Sequence, residues 1–128
     1  MKSKTALKKQ DSFSQSLNDL IVDSIQDIKG KDIVKLDLTA LPEAPVDYFI
    51  ICGGESTTQI RAISENISKR IWEEMGLKPN HTEGIDGSRW ILVDYFTTVV
   101  HIFHPDTRSF YEIEDLWSDA EVVEYQNL

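Results

Sequence analysis

Two stretches of the chain carry apolar residues at the spacing of an amphipathic helix. Over residues 13–28 and again over residues 60–71, apolar side chains recur every three or four positions, and a glycine comes soon after each stretch. Each stretch is also preceded by a serine that is followed three positions later by glutamine, at Ser12 and at Ser56, which is the pattern of a capping box. The sequence therefore predicts two helices, each with a single apolar stripe.

Short apolar runs between and after these helices predict five strands. The strands are Ile33 to Leu38, Tyr48 to Cys52, Leu77 to Thr82, Arg89 to Tyr95 and Val99 to His104. Residues 110–117 predict a short helix, with a looser tail after it. This order of elements predicts an α/β or α+β fold in which the helices pack mainly on one face of a mixed β-sheet.

The last two strands allow a prediction of which side chains share a face. If Phe96 and Thr97 form a two-residue turn, Tyr95 lies opposite Thr98, and the alternation of side chains along each strand places six residues on one surface. These are Trp90, Leu92, Asp94, Val99, His101 and Phe103. Two single-striped helices are expected to cover the opposite side of the sheet. The surface then either binds a partner or is covered by the C-terminal segment.

Composition and charge limit the class of partner. The 128 residues suffice for one domain, and the net charge of −9 repels nucleic-acid phosphates while it suits a basic protein. The charge is uneven, because residues 1–10 carry +4 and the other 118 residues therefore carry −13. We expect a basic disordered tail at residues 1–10, a single α/β domain at residues 11–120 and an acidic tail at residues 121–128.

The residues that carry chemistry predict no catalytic site, no metal site and no cofactor. The turn at Gly53-Gly54 lacks the lysine of a phosphate-binding loop, and Glu55 next to it would repel a phosphate. No pair of carboxylates follows at a spacing that would hold catalytic metal ions. His101 and His104 are three positions apart on a predicted strand, so they point to opposite faces and cannot bind one metal together.

The single cysteine and the length of the apolar runs indicate the cellular compartment of the protein. Cys52 lies inside an apolar run, which predicts a small buried side chain, and a lone cysteine cannot form an intramolecular disulfide. No apolar run approaches the roughly 18–20 residues that span a bilayer, and no apolar core of a secretory signal follows the basic N-terminus. The sequence predicts a protein of the reduced cytoplasm.

Five short blocks of sequence carry a family resemblance in their order and spacing. They are Asp47 to Ser56 (DYFIICGGES), Glu83-Gly84, Trp90 to Tyr95 (WILVDY), Val99 to Phe103 (VVHIF) and Arg108 to Trp117 (RSFYEIEDLW). Together they closely resemble the ribosomal silencing factor family (RsfS, the Iojap-related proteins). The resemblance covers roughly residues 12–120.

The resemblance implies a degenerate nucleotidyltransferase-like α/β fold that has lost its active site, and a function without catalysis. It implies binding to the large ribosomal subunit through a basic ribosomal protein at the subunit interface, the fourteenth by conventional numbering. Occupying that site blocks joining of the small subunit and represses translation when nutrients are limiting. An acidic, partly apolar face complements such a partner, and we expect little or no direct nucleic-acid binding and no membrane binding.

The resemblance also indicates which residues contact the partner. They are Trp90 as an apolar anchor, Asp94 and Glu114 as acceptors for lysine or arginine, and His101 and Tyr111 as polar-aromatic support. The family usually has Gly-Asp at the hairpin tip, where this chain has Phe96-Thr97. Because these residues disfavour the positive φ of a tight hairpin turn, we expect a wider tip, with Phe96 as a further apolar contact.

Two other functions stay open from the sequence. The alternative is a homodimeric interaction module, in which the apolar surface forms the dimer interface. The turn at Gly53-Gly54 before a helix also allows a remnant nucleotide-binding or nucleotidyltransferase-like protein.

Overall fold

A computed structural model describes the backbone of residues 4–111 and 117–128 and the side chains of residues 12–108 and 117–128. The elements in these ranges are α1 (Lys4–Asp27), β1 (Lys31–Asp37), β2 (Tyr48–Gly53), α2 (Thr57–Met75), β3 (His81–Glu83), β4 (Trp90–Asp94), β5 (Thr98–Phe103), α3 (Pro105–Tyr111) and β6 (Glu121–Glu124). The predicted mixed α/β fold is confirmed. Among the helices of these ranges, none is long and apolar enough to cross a membrane.

The strands form one mixed sheet in the order β3-β4-β5-β2-β1-β6. The central pair, β2 and β5, is parallel, and every other neighbouring pair is antiparallel. All six residues of β5 and all but the first residue of β2 are buried. Their continuous apolar sequences follow from this position, because a central strand must be apolar on both faces.

The two long helices cover one face of this sheet with the apolar stripes that the sequence predicts. α1 contributes Leu17, Ile21 and Ile25, and α2 contributes four isoleucines between residues 60 and 71; all seven side chains are fully buried. Burial of an isoleucine stabilises a fold by about 2 kcal/mol relative to leaving it exposed. The stripes therefore fix both helices on the same side of the sheet, as predicted.

The ends of the helices agree with the sequence in one case and differ in the other. Ser56 caps α2, since its hydroxyl accepts a hydrogen bond from the backbone N–H of Gln59 at 3.1 Å, and Gly76 ends the helix with φ 66°. The predicted cap at Ser12 is wrong, because α1 begins at Lys4. The backbone of residues 4–10 is helical where the sequence predicts a disordered tail; lysine, alanine and leucine, which are good helix formers, dominate this stretch.

The acidic C-terminal segment adds a sixth strand to the sheet and is not a loose tail. Glu121–Glu124 pairs antiparallel with β1, and the backbone N–H of Tyr125 donates a hydrogen bond to the carbonyl oxygen of Ile33 at 2.9 Å. Gln26 and Asn127 add two further bonds, from the Gln26 side chain to the Gln126 carbonyl and from the Asp32 amide to the Asn127 side chain. β6 therefore completes the edge of the sheet beside β1.

Candidate partner-binding face

The β4–β5 hairpin places the predicted side chains on one face of the sheet, opposite the two long helices. The register pairs Trp90 with Phe103, Leu92 with His101 and Asp94 with Val99. This register confirms the set of six residues that share the surface. It follows from the two-residue turn, because the backbone N–H of Tyr95 donates to the carbonyl oxygen of Thr98 at 2.8 Å.

The hairpin tip is tight, and the predicted widening is wrong. Phe96 adopts φ 70°, a left-handed conformation that glycine takes readily and that costs other residues about 1–2 kcal/mol. The backbone N–H of Thr97 donates to the carbonyl oxygen of Tyr95 at 2.9 Å. This bond forms a γ-turn centred on Phe96 within the two-residue loop of the hairpin. The Asp94 carboxylate offsets part of the strain, since it accepts the backbone N–H of Phe96 at 2.7 Å.

Only part of this face is open. Val99, His101 and Phe103 are buried, whereas the β4 side chains on this face, those of Trp90, Leu92 and Asp94, are partly exposed. The residues packed over the buried part come from the loop after β1 and from the segment before β6: Leu41, Ala44, Val46, Trp117 and Ala120. Coverage by the C-terminal segment, one of the two alternatives from the sequence, therefore holds over β5 and the strands beyond it, while Trp90, Leu92 and Asp94 on β4 are partly exposed.

The accessible part runs along β4 and ends at the hairpin tip. Trp90, Leu92 and Asp94 follow one another at every second position, and Phe96 at the end of the row is 69% exposed. Next to Trp90 and Leu92 lies a groove of about 250 Å³ that Glu83 and Gly84 complete. We call these four residues, Trp90, Leu92, Asp94 and Phe96, the open row. The row is apolar except for one carboxylate near the tip.

Gly84 is a site residue that the pattern of apolar positions did not single out. Its φ of 88° favours glycine, and a Cβ added to it would collide with the carbonyl oxygen of Trp90. Glycine at this position thus lets the chain after β3 pass close to β4 and form the wall of the groove. The block Glu83-Gly84 in the family resemblance is the signal that pointed to it.

His101 supports the face from beneath. Its ring nitrogen Nδ1 accepts a hydrogen bond from the indole Nε1–H of Trp90 at 3.1 Å, and the edge of Phe49 meets the ring at a centroid distance of 4.8 Å. Burial lowers the pKa of His101 to about 4, so the ring is neutral at pH 7. With Nδ1 as the acceptor, the proton sits on Nε2, which has no hydrogen-bond partner in the described part of the chain. His101 therefore positions Trp90 and is itself 96% buried.

We expect the free energy of unfolding to fall by about 1 kcal/mol through His101 alone between about pH 7.5 and about pH 5.5. The unfolded chain binds a proton on this histidine below its usual pKa of 6.5, whereas the folded protein does not until the pH nears 4. The stability is therefore complete above pH 6.5 and is lost progressively as the pH falls towards 4. Denaturant titrations at both pH values measure the difference.

The variant His101→Asn provides the control for this pH dependence. Asparagine keeps an oxygen that can accept the Trp90 indole N–H, but it does not titrate. The free energy of unfolding of this variant should therefore fall by about 1 kcal/mol less than that of the unmodified protein over the same pH interval. An unaltered pH dependence in this variant would show that other groups are responsible.

Two predicted contact residues lie outside the described part of the structure. The backbone of Tyr111 ends α3, but its side chain is not among the described ones, and Glu114 falls within residues 112–116, which are not described. Their roles stay predictions. Trp90, Asp94 and Phe96, in contrast, lie together on the open row, with His101 directly beneath Trp90.

The turn before α2 does not fit a phosphate. The Gln59 side chain accepts the backbone N–H of Glu55 at 2.7 Å, and Ser56 accepts that of Gln59, so the cap already uses amides at the helix start. A salt bridge to Lys31 lowers the pKa of the Glu55 carboxyl, which keeps a negative charge at the entrance. A Cβ at Gly54 would lie 2.9 Å from the Cγ1 atom of Ile60, so the need for glycine here is explained by packing against the helix.

The other candidate chemistry is equally sparse. Cys52 is fully buried, as predicted, and burial raises the pKa of its thiol to about 12, so it is not a nucleophile near neutral pH. Within the described side chains, no group of three or more histidine, cysteine, aspartate or glutamate residues could hold a metal ion.

Comparison with known proteins identifies the family. The model of the family described as "Ribosomal silencing factor during starvation" matches residues 11–128. The chain belongs to the ribosomal silencing factor family. A ribosomal silencing factor from Halalkalibacterium halodurans is 36% identical over 90% of this chain and 97% of its own length. A mouse relative named "Mitochondrial assembly of ribosomal large subunit protein 1" is 30% identical over 78% of this chain and 44% of its own length.

The fold of this ribosomal silencing factor family member agrees with a solved structure. A crystal structure of a Chromobacterium violaceum protein superposes with a TM-score of 0.76 at 34% sequence identity, and it covers 81% of this chain and 85% of the other. The resemblance stated from the five sequence blocks is therefore confirmed, and the protein is associated with ribosome silencing through its family.

Proposed function

We propose that this protein binds the large ribosomal subunit and sterically blocks its joining with the small subunit, which represses translation under nutrient limitation. The contact is with a basic ribosomal protein at the subunit interface, the fourteenth by conventional numbering. The protein acts in the cytoplasm, by occupying a surface and without catalysis or a cofactor. The observation that carries the proposal is the open row on β4, where the partly exposed Trp90 and the exposed Phe96 stand with the carboxylate of Asp94.

The chemistry of this row suits a basic protein partner. Trp90 and Phe96 offer apolar area of the kind that dominates protein interfaces, while Asp94 offers an acceptor for lysine or arginine. The net charge of −9 attracts a basic ribosomal protein and repels the phosphates of the surrounding RNA. The name of the mouse relative, which refers to the large ribosomal subunit, agrees with the choice of subunit.

The residues divide into contacts and supports. Trp90, Asp94 and Phe96 contact the partner directly, because they lie on the accessible row and offer aromatic area and a carboxylate. His101 acts through Trp90, whose indole it holds. Tyr111, the last residue of α3, and Glu114 are further contacts that add an aromatic and an acidic group.

Sedimentation with isolated subunits tests the choice of partner. We expect the purified protein to migrate with large subunits and not with small ones, and to dissociate only modestly when the salt concentration is raised about fourfold. A protein that neutralised many RNA phosphates would instead lose about 10³-fold or more in affinity over that interval. Equal migration with both subunits, or a steep dependence on salt, would contradict the proposed protein contact.

A homodimer that used the same row would compete with this binding. Light scattering across a dilution series measures the oligomeric state of the free protein. A dimer that persists when large subunits are added would contradict the proposal, because the row cannot face a second copy and the ribosome at once.

A further inference from the structure

The outer edge of β6 is the end of the sheet farthest from the open row on β4. The bond from the Tyr125 amide to the carbonyl of Ile33 makes these two residues a hydrogen-bonded pair of the antiparallel ladder. Such pairs alternate along antiparallel strands, so Val123 also turns its backbone groups towards β1. Val122 and Glu124 therefore turn their backbone N–H and C=O groups outward, away from the sheet.

This edge has an apolar centre and acidic ends. All four residues of β6 are exposed, with Val122 at 53% and Val123 at 43%. Short strands, charged side chains, proline and bulges commonly protect sheet edges; β6 is short and has a glutamate at each end, but it contains no proline and no bulge, and its two central valines are open. An extended segment of another protein can therefore add to the sheet here by main-chain hydrogen bonds.

The charges on β6 select the segment that can pair. A second copy of the chain would bring the same two carboxylates to this edge, and copies that each carry a net charge of −9 repel each other. Like charges brought close together in a sheet are destabilising. A segment with lysine or arginine on the side of Val122 and Glu124 would instead form a favourable pair with Glu124.

A groove beside the edge offers a place for a basic side chain. It has a volume of about 410 Å³ and is lined by Val122 and Glu124 of β6, by Asp32, and by Arg108, whose Nη1 donates to the carbonyl oxygen of Asp32 at 2.7 Å. A strand added to β6 would place every second side chain on the side of the sheet that holds Val122 and Glu124. The stem of a lysine there would cover Val122, and its ammonium would reach Glu124.

We infer that the outer edge of β6 is a second docking site, which takes an extended basic segment of a protein partner as a seventh strand. The segment carries lysine or arginine in alternation with β-branched residues. The site is separate from the row on β4 and does not depend on the function proposed for that row.

The test uses a short peptide of alternating lysine and valine as the probe, with the full-length protein labelled for amide hydrogen exchange. We expect the peptide to slow exchange at Val122 and Glu124 about tenfold or more, because their outward amides become hydrogen-bonded. The matched peptide is N-methylated at every second residue on its pairing edge, so it keeps the charge but loses the donors. It should bind more weakly and leave both amides unprotected.

A proline variant separates pairing on the outer edge from the integrity of β6. Val122→Pro removes an outward N–H and leaves the ladder with β1 in place, whereas Val123→Pro removes an inward one. We expect Val122→Pro to lower the affinity for the peptide about tenfold while the exchange rate at Tyr125, which reports the β1 ladder, stays unchanged. Val123→Pro should speed exchange at Tyr125 and serves as the control for a detached strand.

Three results would overturn the inference. Equal binding of the methylated and unmethylated peptides would show attraction by charge alone. An absence of protection at Val122 and Glu124 would show that the edge is not the site. Protection that appears without peptide and grows with protein concentration would assign the edge to a second copy of the chain.

Discussion

Replacing Trp90 with alanine is expected to weaken binding to large ribosomal subunits about 30-fold, a loss of about 2 kcal/mol. The indole is the largest side chain on the open row, and it is held in place by stacking on Phe103 at a centroid distance of 4.9 Å and by its hydrogen bond to His101. A rigid aromatic anchor of this kind binds at a low entropic cost. Titration of the variant and of the unmodified protein against large subunits measures the difference in affinity.

The same substitution also affects stability, so it needs a matched control. Loss of the stacked ring should lower the free energy of unfolding by about 2 kcal/mol, less than for a fully buried tryptophan. Ile91→Val, at the neighbouring position of β4, removes a methylene from a fully buried side chain that faces the helices. It should cost about 1 kcal/mol in stability and leave binding unchanged. If it weakened binding as strongly as Trp90→Ala, the effect would come from the fold and not from the row.

Replacing Phe96 with glycine is expected to stabilise the protein and, at the same time, to weaken its binding. Glycine adopts the positive φ of this position without strain, so the free energy of unfolding should rise by about 1 kcal/mol after allowance for the greater freedom of glycine in the unfolded chain. The ring itself is 69% exposed and adds little to the core. Since it stands at the tip of the row, its removal should lower the affinity for large subunits about tenfold.

Phe96→Ala separates the two effects in this experiment. Alanine removes the ring but keeps the strain, so it should weaken binding as much as glycine does without the gain in stability. Thermal unfolding gives the stability of each variant, and titration against large subunits gives its affinity. If Phe96→Gly were no more stable than Phe96→Ala, the backbone at the tip would not be strained. If both bound as well as the unmodified protein, Phe96 would not be a contact.

The parts of the fold that the sequence predicted are those determined by local patterns. The isoleucine stripe of α2 and its cap at Ser56 follow from spacings of three and four residues, and the register of Tyr95 against Thr98 follows from alternation around a short turn. Strand β6 was missed because it contains only Val122 and Val123 as apolar residues. Its partner β1 lies more than 80 residues earlier in the chain, and no local pattern records such a pairing.

The sequence predicted which six side chains of the hairpin share a face, but it did not predict how far that face is exposed. The sequence placed His101 and Trp90 on the same face, but whether that face is open depends on where Trp117 and the loop after β1 pack, which is a property of the tertiary structure. The tip geometry was missed for a similar reason. The expectation considered the φ preference of Phe96 alone, whereas the Asp94 carboxylate hydrogen-bonds to its amide and helps the residue to keep a positive φ.

The most direct test of whether this protein keeps the ribosomal subunits apart is a subunit-joining experiment. Purified small and large subunits are mixed at a magnesium concentration that favours pairing, with and without saturating protein, and are separated on a sucrose gradient. We predict that the protein abolishes the peak of joined ribosomes and migrates with the large subunits. The joined peak should return with Trp90→Ala at a concentration at which Ile91→Val still suppresses it. An undiminished joined peak, with the protein bound to large subunits, would contradict the proposed mechanism.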